Sequence, residues 1–271
     1  MMRFLSGALM LLALPMPVSA TSLSLSGDFV QGGLITGTTL PGATVSLNGA
    51  PVRVGSDGVF VFGLGRDAPN TTVLDVVLPD GKRDTRTLEI RQRKYRIQRI
   101  DGLPRRMVTP SAKALERIRR EGNAIRAARA VFTNDAHFKG GFVWPAKGRI
   151  SGVYGSQRIL NGKPRRPHLG VDIAAPTGTP VAAAAAGTVT LAERDLYFTG
   201  GTVIVDHGHG LSTVYSHLSA IDVRNGQAVS QGQKIGAVGS TGRSTGPHLD
   251  WRINWYQERL DPMLLAGPMK K

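Results

Sequence analysis

Cysteine is absent from all 271 residues. That excludes disulfide staples, thiolate metal ligands and a lipoprotein type of export signal. Acidic residues are scarce, 19 Asp and Glu against 34 Lys and Arg, so the formal charge is +15. Such a balance seeks polyanions. Aromatic residues make up only 6 % of the chain and do not interleave with the basic ones, which argues against a nucleic-acid stacking platform. No apolar run reaches membrane-spanning length.

What is present begins with a processing signal. Met1, Met2 and Arg3 form a short basic start, residues 4–16 are apolar around Leu11, Leu12 and Leu14, and Val18-Ser19-Ala20 is a small-residue cleavage site. Residues 1–20 therefore read as a signal peptide, with a mature chain from Thr21. The expected location is outside the cytoplasm, in the periplasm or cell envelope, without a stable membrane anchor. An anionic cell wall or an anionic membrane face suits the basic charge better than nucleic acid does.

Three segments follow. Residues 21–93 alternate at period two, as in Leu23 and Leu25, Val45 and Leu47, Val52 and Val54, Phe60 and Phe62. Pro41-Gly42, Asn48-Gly49, Asp57-Gly58 and Asp80-Gly81 divide them. Short strands with such turns predict a β-sandwich, similar in pattern to immunoglobulin-like modules and suited to binding or spacing. Residues 94–139 form a linker with a basic amphipathic helix expected over 109–132, capped by Thr109 and Pro110. Its apolar stripe is Leu115, Ile118, Ile125 and Phe132, read as a face packed on a neighbouring domain. Residues 140–271 return to glycines, alternating valines and turns, which predicts a nearly all-β, antiparallel domain.

Three of the six histidines stand at distinctive points of this last segment: His168 in His-Leu-Gly-Val-Asp172, His217 in Tyr-Ser-His-Leu, and His248 in His-Leu-Asp250. Imidazole and carboxylate suit a zinc ion that keeps a position open for water and substrate. In a straight strand His168 and Asp172 would lie roughly 13 Å apart, whereas two ligands of one zinc need donor atoms within about 4 Å. The backbone must bend between them, and Gly170 is the residue expected to permit it. His248 and Asp250, at i and i+2, share one strand face. His207-x-His209 is a competing pair, but it falls in an expected hairpin turn and reads as structural. His137, in the linker, reads as exposed. The Gly-rich run before His248 lacks phosphate-loop spacing and reads as the turn that presents it.

Residues from about 149 to 262 resemble the LytM/lysostaphin-like zinc endopeptidases of bacterial cell walls. The likeness rests on His168-Leu-Gly-Val-Asp172-Ile-Ala-Ala-Pro-Thr-Gly-Thr-Pro, Gly201-Thr-Val-Ile-Val-Asp-His-Gly, Tyr215-Ser-His217-Leu, Gly226-Gln-Ala-Val-Ser-Gln-Gly-Gln and Gly239-Ser-Thr-Gly-Arg-Ser-Thr-Gly-Pro-His248-Leu. It implies a metal-binding cleft, Zn2+ as cofactor, and His168 and Asp172 as zinc ligands. It implies His217 and His248 as catalytic residues, one taking a proton from water and the other steadying an oxyanion. The third ligand would be Asp250, where the family has histidine. The implied substrate is the peptide cross-link of peptidoglycan. Further implied partners are other cell-wall hydrolases or the division machinery. A scaffold or activator that has lost catalysis is the alternative reading, and Asp250 is the feature behind it.

Overall fold

A computed structural model describes residues 23–100, 112–160, 162–164 and 166–269. The expected signal peptide and the helix cap at Thr109 and Pro110 lie outside them. The fold is mainly β. Among the described residues no helix is long and apolar enough to cross a membrane.

The first seven strands are β1 (Leu23–Gly27), β2 (Leu34–Thr39), β3 (Thr44–Leu47), β4 (Ala50–Val52), β5 (Val59–Gly63), β6 (Thr71–Val77) and β7 (Arg83–Glu89). They make two antiparallel sheets, ordered β1-β2-β5 and β4-β3-β6-β7. Leu23, Ile35, Phe60 and Phe62 from the first pack with Val45, Val52, Leu74 and Val76 from the second in one buried cluster. The β3–β4 turn is Asn48-Gly49, with φ of 49° and 78°, the mirror-image turn that matches strand twist.

Strand β5 is buried on both faces. Phe60 and Phe62 point into this sandwich, while Val59 and Val61 join the core of the C-terminal region. The expected alternation at Phe60 and Phe62 is therefore only half of the pattern. The continuous run Val59-Phe60-Val61-Phe62 is what a strand covered on both sides needs. The junction is also tied by polar contacts. Arg93 Nη1 lies 2.8 Å from Asp261 Oδ2, and Arg66 Nε donates to Gly155 O at 2.9 Å.

Within the expected linker, β8 (Ile97–Ile100) is a strand that sequence reading missed. It has no alternating apolar signal of its own and exists by parallel pairing with β10 (Gln157–Leu160). The helix α1 spans Ala112–Arg129, so Phe132 lies beyond its end. Its Ile125 and Ala128 pack against Leu191, Leu196, Ile204 and Val214, on the sheet that carries the C-terminal core.

The remaining strands are β9 (Arg149–Gly152), β11 (Lys163–Pro164), β12 (Val171–Ala174), β13 (Pro180–Ala182), β14 (Gly187–Leu196), β15 (Gly200–Gly208), β16 (Leu211–Leu218), β17 (Ala220–Ile221), β18 (Ala228–Val229), β19 (Lys234–Ala237), β20 (His248–Trp255) and β21 (Glu258–Leu260), followed by the short helix α2 (Pro262–Ala266). The main sheet runs β18-β14-β15-β16-β20-β12-β9, with β21 added beside β20. On β20, Leu249, Trp251 and Ile253 are fully buried in the core. Period two then sends His248, Asp250, Arg252 and Asn254 to the other face. The functional candidates follow from that alternation.

Candidate metal centre

Strand β20 lies between β12 and β16. Its register places Asp250 directly opposite Asp172 on one side and Ser216 on the other. Two carboxylates at directly opposed positions repel unless a cation compensates them. Asp172 also faces Gly152 on β9, where the ladder shifts register between Asp172 and Ile173. Such a bulge re-aims a side chain. A Cβ on Gly152 would sit 2.2 Å from Asp172 Oδ2, so the glycine makes room for the carboxylate.

His168 precedes β12 and is held by backbone pairing: Gly155 N donates to His168 O and His168 N to Ser156 O, both at 2.7 Å. The chain thus curls before the strand, and His168 Nε2 comes within 3.0 Å of Asp172 Oδ1 and 3.9 Å of Asp250 Oδ1. The bend expected between His168 and Asp172 exists, but Gly170 acts differently from expectation. Its φ is outside the left-handed region; instead a Cβ there would lie 2.7 Å from Trp251 O and 2.9 Å from Asp250 Oδ1. Gly170 is required for space, not for its dihedral freedom.

Among the described residues, one group of His, Asp and Glu side chains converges tightly enough for an ion: His168, Asp172 and Asp250, with donor atoms all within 4.8 Å of one another. His168 Nε2 is buried and makes no hydrogen bond, despite its nearness to Asp172. Its Nδ1 faces Val153 O at 3.4 Å. Nδ1 can donate to that carbonyl, and in that tautomer Nε2 turns a lone pair toward the two carboxylates. An orphaned imidazole lone pair facing two carboxylate oxygens is a donor set that fits Zn2+.

The charges agree. Burial opposes a charge on His168, yet proximity to Asp172 and then Asp250 outweighs it and raises its pKa above the ordinary histidine value. Burial would also raise Asp250, but the Arg252 guanidinium prevails and holds that carboxyl well below the usual range. Asp250 is 4 % exposed. Arg252 Nε donates to Oδ1 at 2.8 Å, and Nη2 donates to Oδ2. Arg252 was not singled out from the sequence, although its i+2 offset from Asp250 in an alternating strand was a readable signal.

The two other histidines stand beside this group. Their ring centroids are 4.7 Å apart, and His248 Nε2 lies 3.8 Å from Asp172 Oδ1. His217, the penultimate residue of β16, has a φ of 66°. Its Nδ1 donates to Thr241 O at 2.8 Å, and His248 Nδ1 donates to Gly246 O at 2.8 Å. Both rings therefore present a basic Nε2. Burial lowers the pKa of His217, which keeps it neutral and able to accept a proton. All five expected residues are thus brought together. His207 and His209 lie elsewhere, and the His137 side chain is 41 % exposed.

The profile described as Peptidase family M23 matches residues 166–262. The chain is 45 % identical over 103 residues to the DD-carboxypeptidase/endopeptidase Mpg of Neisseria meningitidis, a match covering 38 % of this chain and 24 % of that protein. It is 43 % identical over 109 residues to the peptidoglycan DD-endopeptidase ShyA of Vibrio cholerae, covering 40 % of this chain and 25 % of the relative. The match thus spans about a quarter of the length of these curated relatives. A crystal structure of a candidate M23 peptidase from Pseudomonas aeruginosa superposes with a TM-score of 0.67 at 30 % identity, covering 89 % of this chain and 96 % of that one. That likeness takes in the N-terminal sandwich as well as the site-bearing sheet, and on it the chain belongs to peptidase family M23.

Proposed function

We propose that this chain is an exported zinc-dependent endopeptidase that hydrolyses the peptide cross-links of peptidoglycan. The observation that carries the reading is the orphaned His168 Nε2, aimed at the oxygens of Asp172 and Asp250 beside the paired rings of His217 and His248. A relative named as a peptidoglycan DD-endopeptidase carries a similar stretch of chain.

His168, Asp172 and Asp250 would hold the ion. When bound, zinc supplies Lewis-acid polarisation of a scissile carbonyl and makes a water more acidic. The chain's own residues do the rest. His217 and His248 each keep Nδ1 protonated against a main-chain carbonyl, so each offers Nε2 toward the cleft. One accepts a proton from the attacking water; protonated, such a ring then donates to a developing oxyanion or leaving amine. The excess of basic residues would hold the protein against the anionic wall. We assign residues 1–20 to the export signal, 21–93 to an immunoglobulin-like spacing or wall-contacting module, 94–139 to a linker and 140–271 to the peptidase domain.

The test is direct. Purified mature chain should carry about one zinc and release muropeptides from isolated sacculi with peptide bonds cut and glycan intact. His168→Ala should lose both properties. Metal content near zero in the wild type, unchanged by His168→Ala, would instead support the scaffold reading.

A further inference from the structure

The carboxylate at position 250 does not stand alone. Arg252 grips it from the same strand face, Nε on Oδ1 and Nη2 on Oδ2. This two-point fork fixes the plane of the carboxylate as well as its position. Oδ1 also faces His168 Nε2 at 3.9 Å. A carboxylate oxygen has lone pairs for two partners, so Oδ1 can keep Arg252 and still meet an ion. The surroundings are shaped for the pair. A Cβ on Gly170 would lie 2.6 Å from Arg252 Cγ and 2.9 Å from Asp250 Oδ1, so only glycine leaves room for both side chains.

We propose that Asp250 and Arg252 act as one neutral ligand unit, with Arg252 as the positioning residue that aims Oδ1 at the metal. The inference rests on the reading of this cluster as a zinc centre. Two carboxylates and one guanidinium leave His168, Asp172, Asp250 and Arg252 with one net negative charge. An imidazole at position 250, with no guanidinium beside it, would leave the same charge. A switch between the two arrangements therefore needs two substitutions. Asp250→His alone would put a neutral ring and an uncompensated guanidinium next to a divalent cation.

A purely structural ion pair makes a different prediction. It would allow Arg252 to affect folding, but the zinc affinity of a chain with histidine at position 250 would not depend on Arg252. The experiment measures zinc affinity by chelator competition on the purified mature chain, with apo-protein melting as a check of folding. Asp250→His should bind zinc about 10–100-fold more weakly than wild type, because it replaces the ligand and leaves the guanidinium that oriented it uncompensated beside the cation. Adding Arg252→Met to that substitution should recover at least about tenfold of this loss. Arg252→Lys keeps the charge but loses the fork, and should bind about tenfold more weakly. This last variant keeps the test decisive if Asp250→His does not fold. Wild-type affinity in Asp250→His, no recovery in the double variant, or wild-type affinity in Arg252→Lys would each overturn the proposal. If wild type takes up no zinc at all, the zinc reading falls and takes this inference with it. If wild type binds zinc but leaves sacculi intact, only the proposed reaction falls.

Discussion

Two histidine motifs lie on one sheet and have opposite fates. His207-x-His209 closes the β15–β16 hairpin; His248-x-Asp250 opens β20, two strands from β15. At His207 every polar atom finds a partner within the protein. Ala186 O lies 2.6 Å from Nδ1 and must accept its proton. Nε2 then accepts from the Thr213 hydroxyl at 2.8 Å. Thr213 Oγ1 is 2.9 Å from the Tyr215 hydroxyl, which takes the Ala184 N–H at 2.7 Å. The chain of hydrogen bonds is closed. At His168, His217 and His248 each Nδ1 faces a carbonyl, yet His168 Nε2 and His248 Nε2 face carboxylate oxygens, and the His217 ring lies against that of His248. His209 shows that a missing partner is not enough. Its ring nitrogens also lack hydrogen bonds, but it is wedged between Phe132 and Phe138, with ring centroids 5.5 and 5.3 Å away. The candidate centre stands out where an unpartnered ring nitrogen meets converging carboxylates.

The largest expected effect would break this comparison outright. His217→Ala and His248→Ala should each lower muropeptide release by about 10²–10⁴-fold, the range of general acid–base contributions, while zinc content stays at the wild-type level. His207→Asn should leave the rate within a few-fold of wild type. Full activity in either of the first two variants, or loss of zinc in both, would remove the division of labour between ligands and proton carriers.

Much of this cluster could be read from the chain itself. His168, Asp172, His217, His248 and Asp250 stood out because their motifs are local, and the likeness to the family implied a role for each; the strand period put His248 and Asp250 on one face. The turns of the sandwich were legible for the same reason: Asn48-Gly49 and its counterparts demand particular dihedral angles. What escaped was non-local. Strand β8 forms only because β10 is beside it. The outer face of β5 is buried because the second core covers Val59 and Val61. Gly152 and Gly170 matter because of side chains from other strands, not because of their own φ. The carbonyls that set the histidine tautomers belong to Val153, Thr241 and Gly246, and main-chain atoms carry no sequence signal.

A smaller effect sharpens the contrast through pH. Burial pushes His207 down to about 4 from an ordinary 6.5. The unfolded chain binds this proton from about pH 6.5 downward, the folded chain only below about 4. Stability therefore falls as pH drops through that window and levels off beneath it, by about 3 kcal/mol for this group. His207→Asn cannot titrate there. It should be less stable than wild type at pH 7, by about 1–3 kcal/mol for the unpaired Thr213 hydroxyl and lost packing, and should lose less stability than wild type between pH 7 and 4. Urea unfolding at the two pH values checks this. Equal losses in both proteins would mean that the ring is not held neutral by its surroundings.

The smallest effect separates two partners of one atom. His248 Nδ1 lies 2.8 Å from Gly246 O and 3.2 Å from Ser244 Oγ. The carbonyl is nearer and can only accept, so it fixes the tautomer. The Ser244 hydroxyl has its own acceptor in Gly246 O at 2.7 Å, and serves the loop more than the ring. Ser244→Ala should therefore cost less than about 1 kcal/mol, at most about a fivefold drop in rate, with zinc affinity unchanged. A drop as large as that of His248→Ala would assign the orientation of the ring to the hydroxyl. The carbonyl would then be an incidental neighbour, and the parallel between His217 and His248, each set by the main chain, would no longer hold.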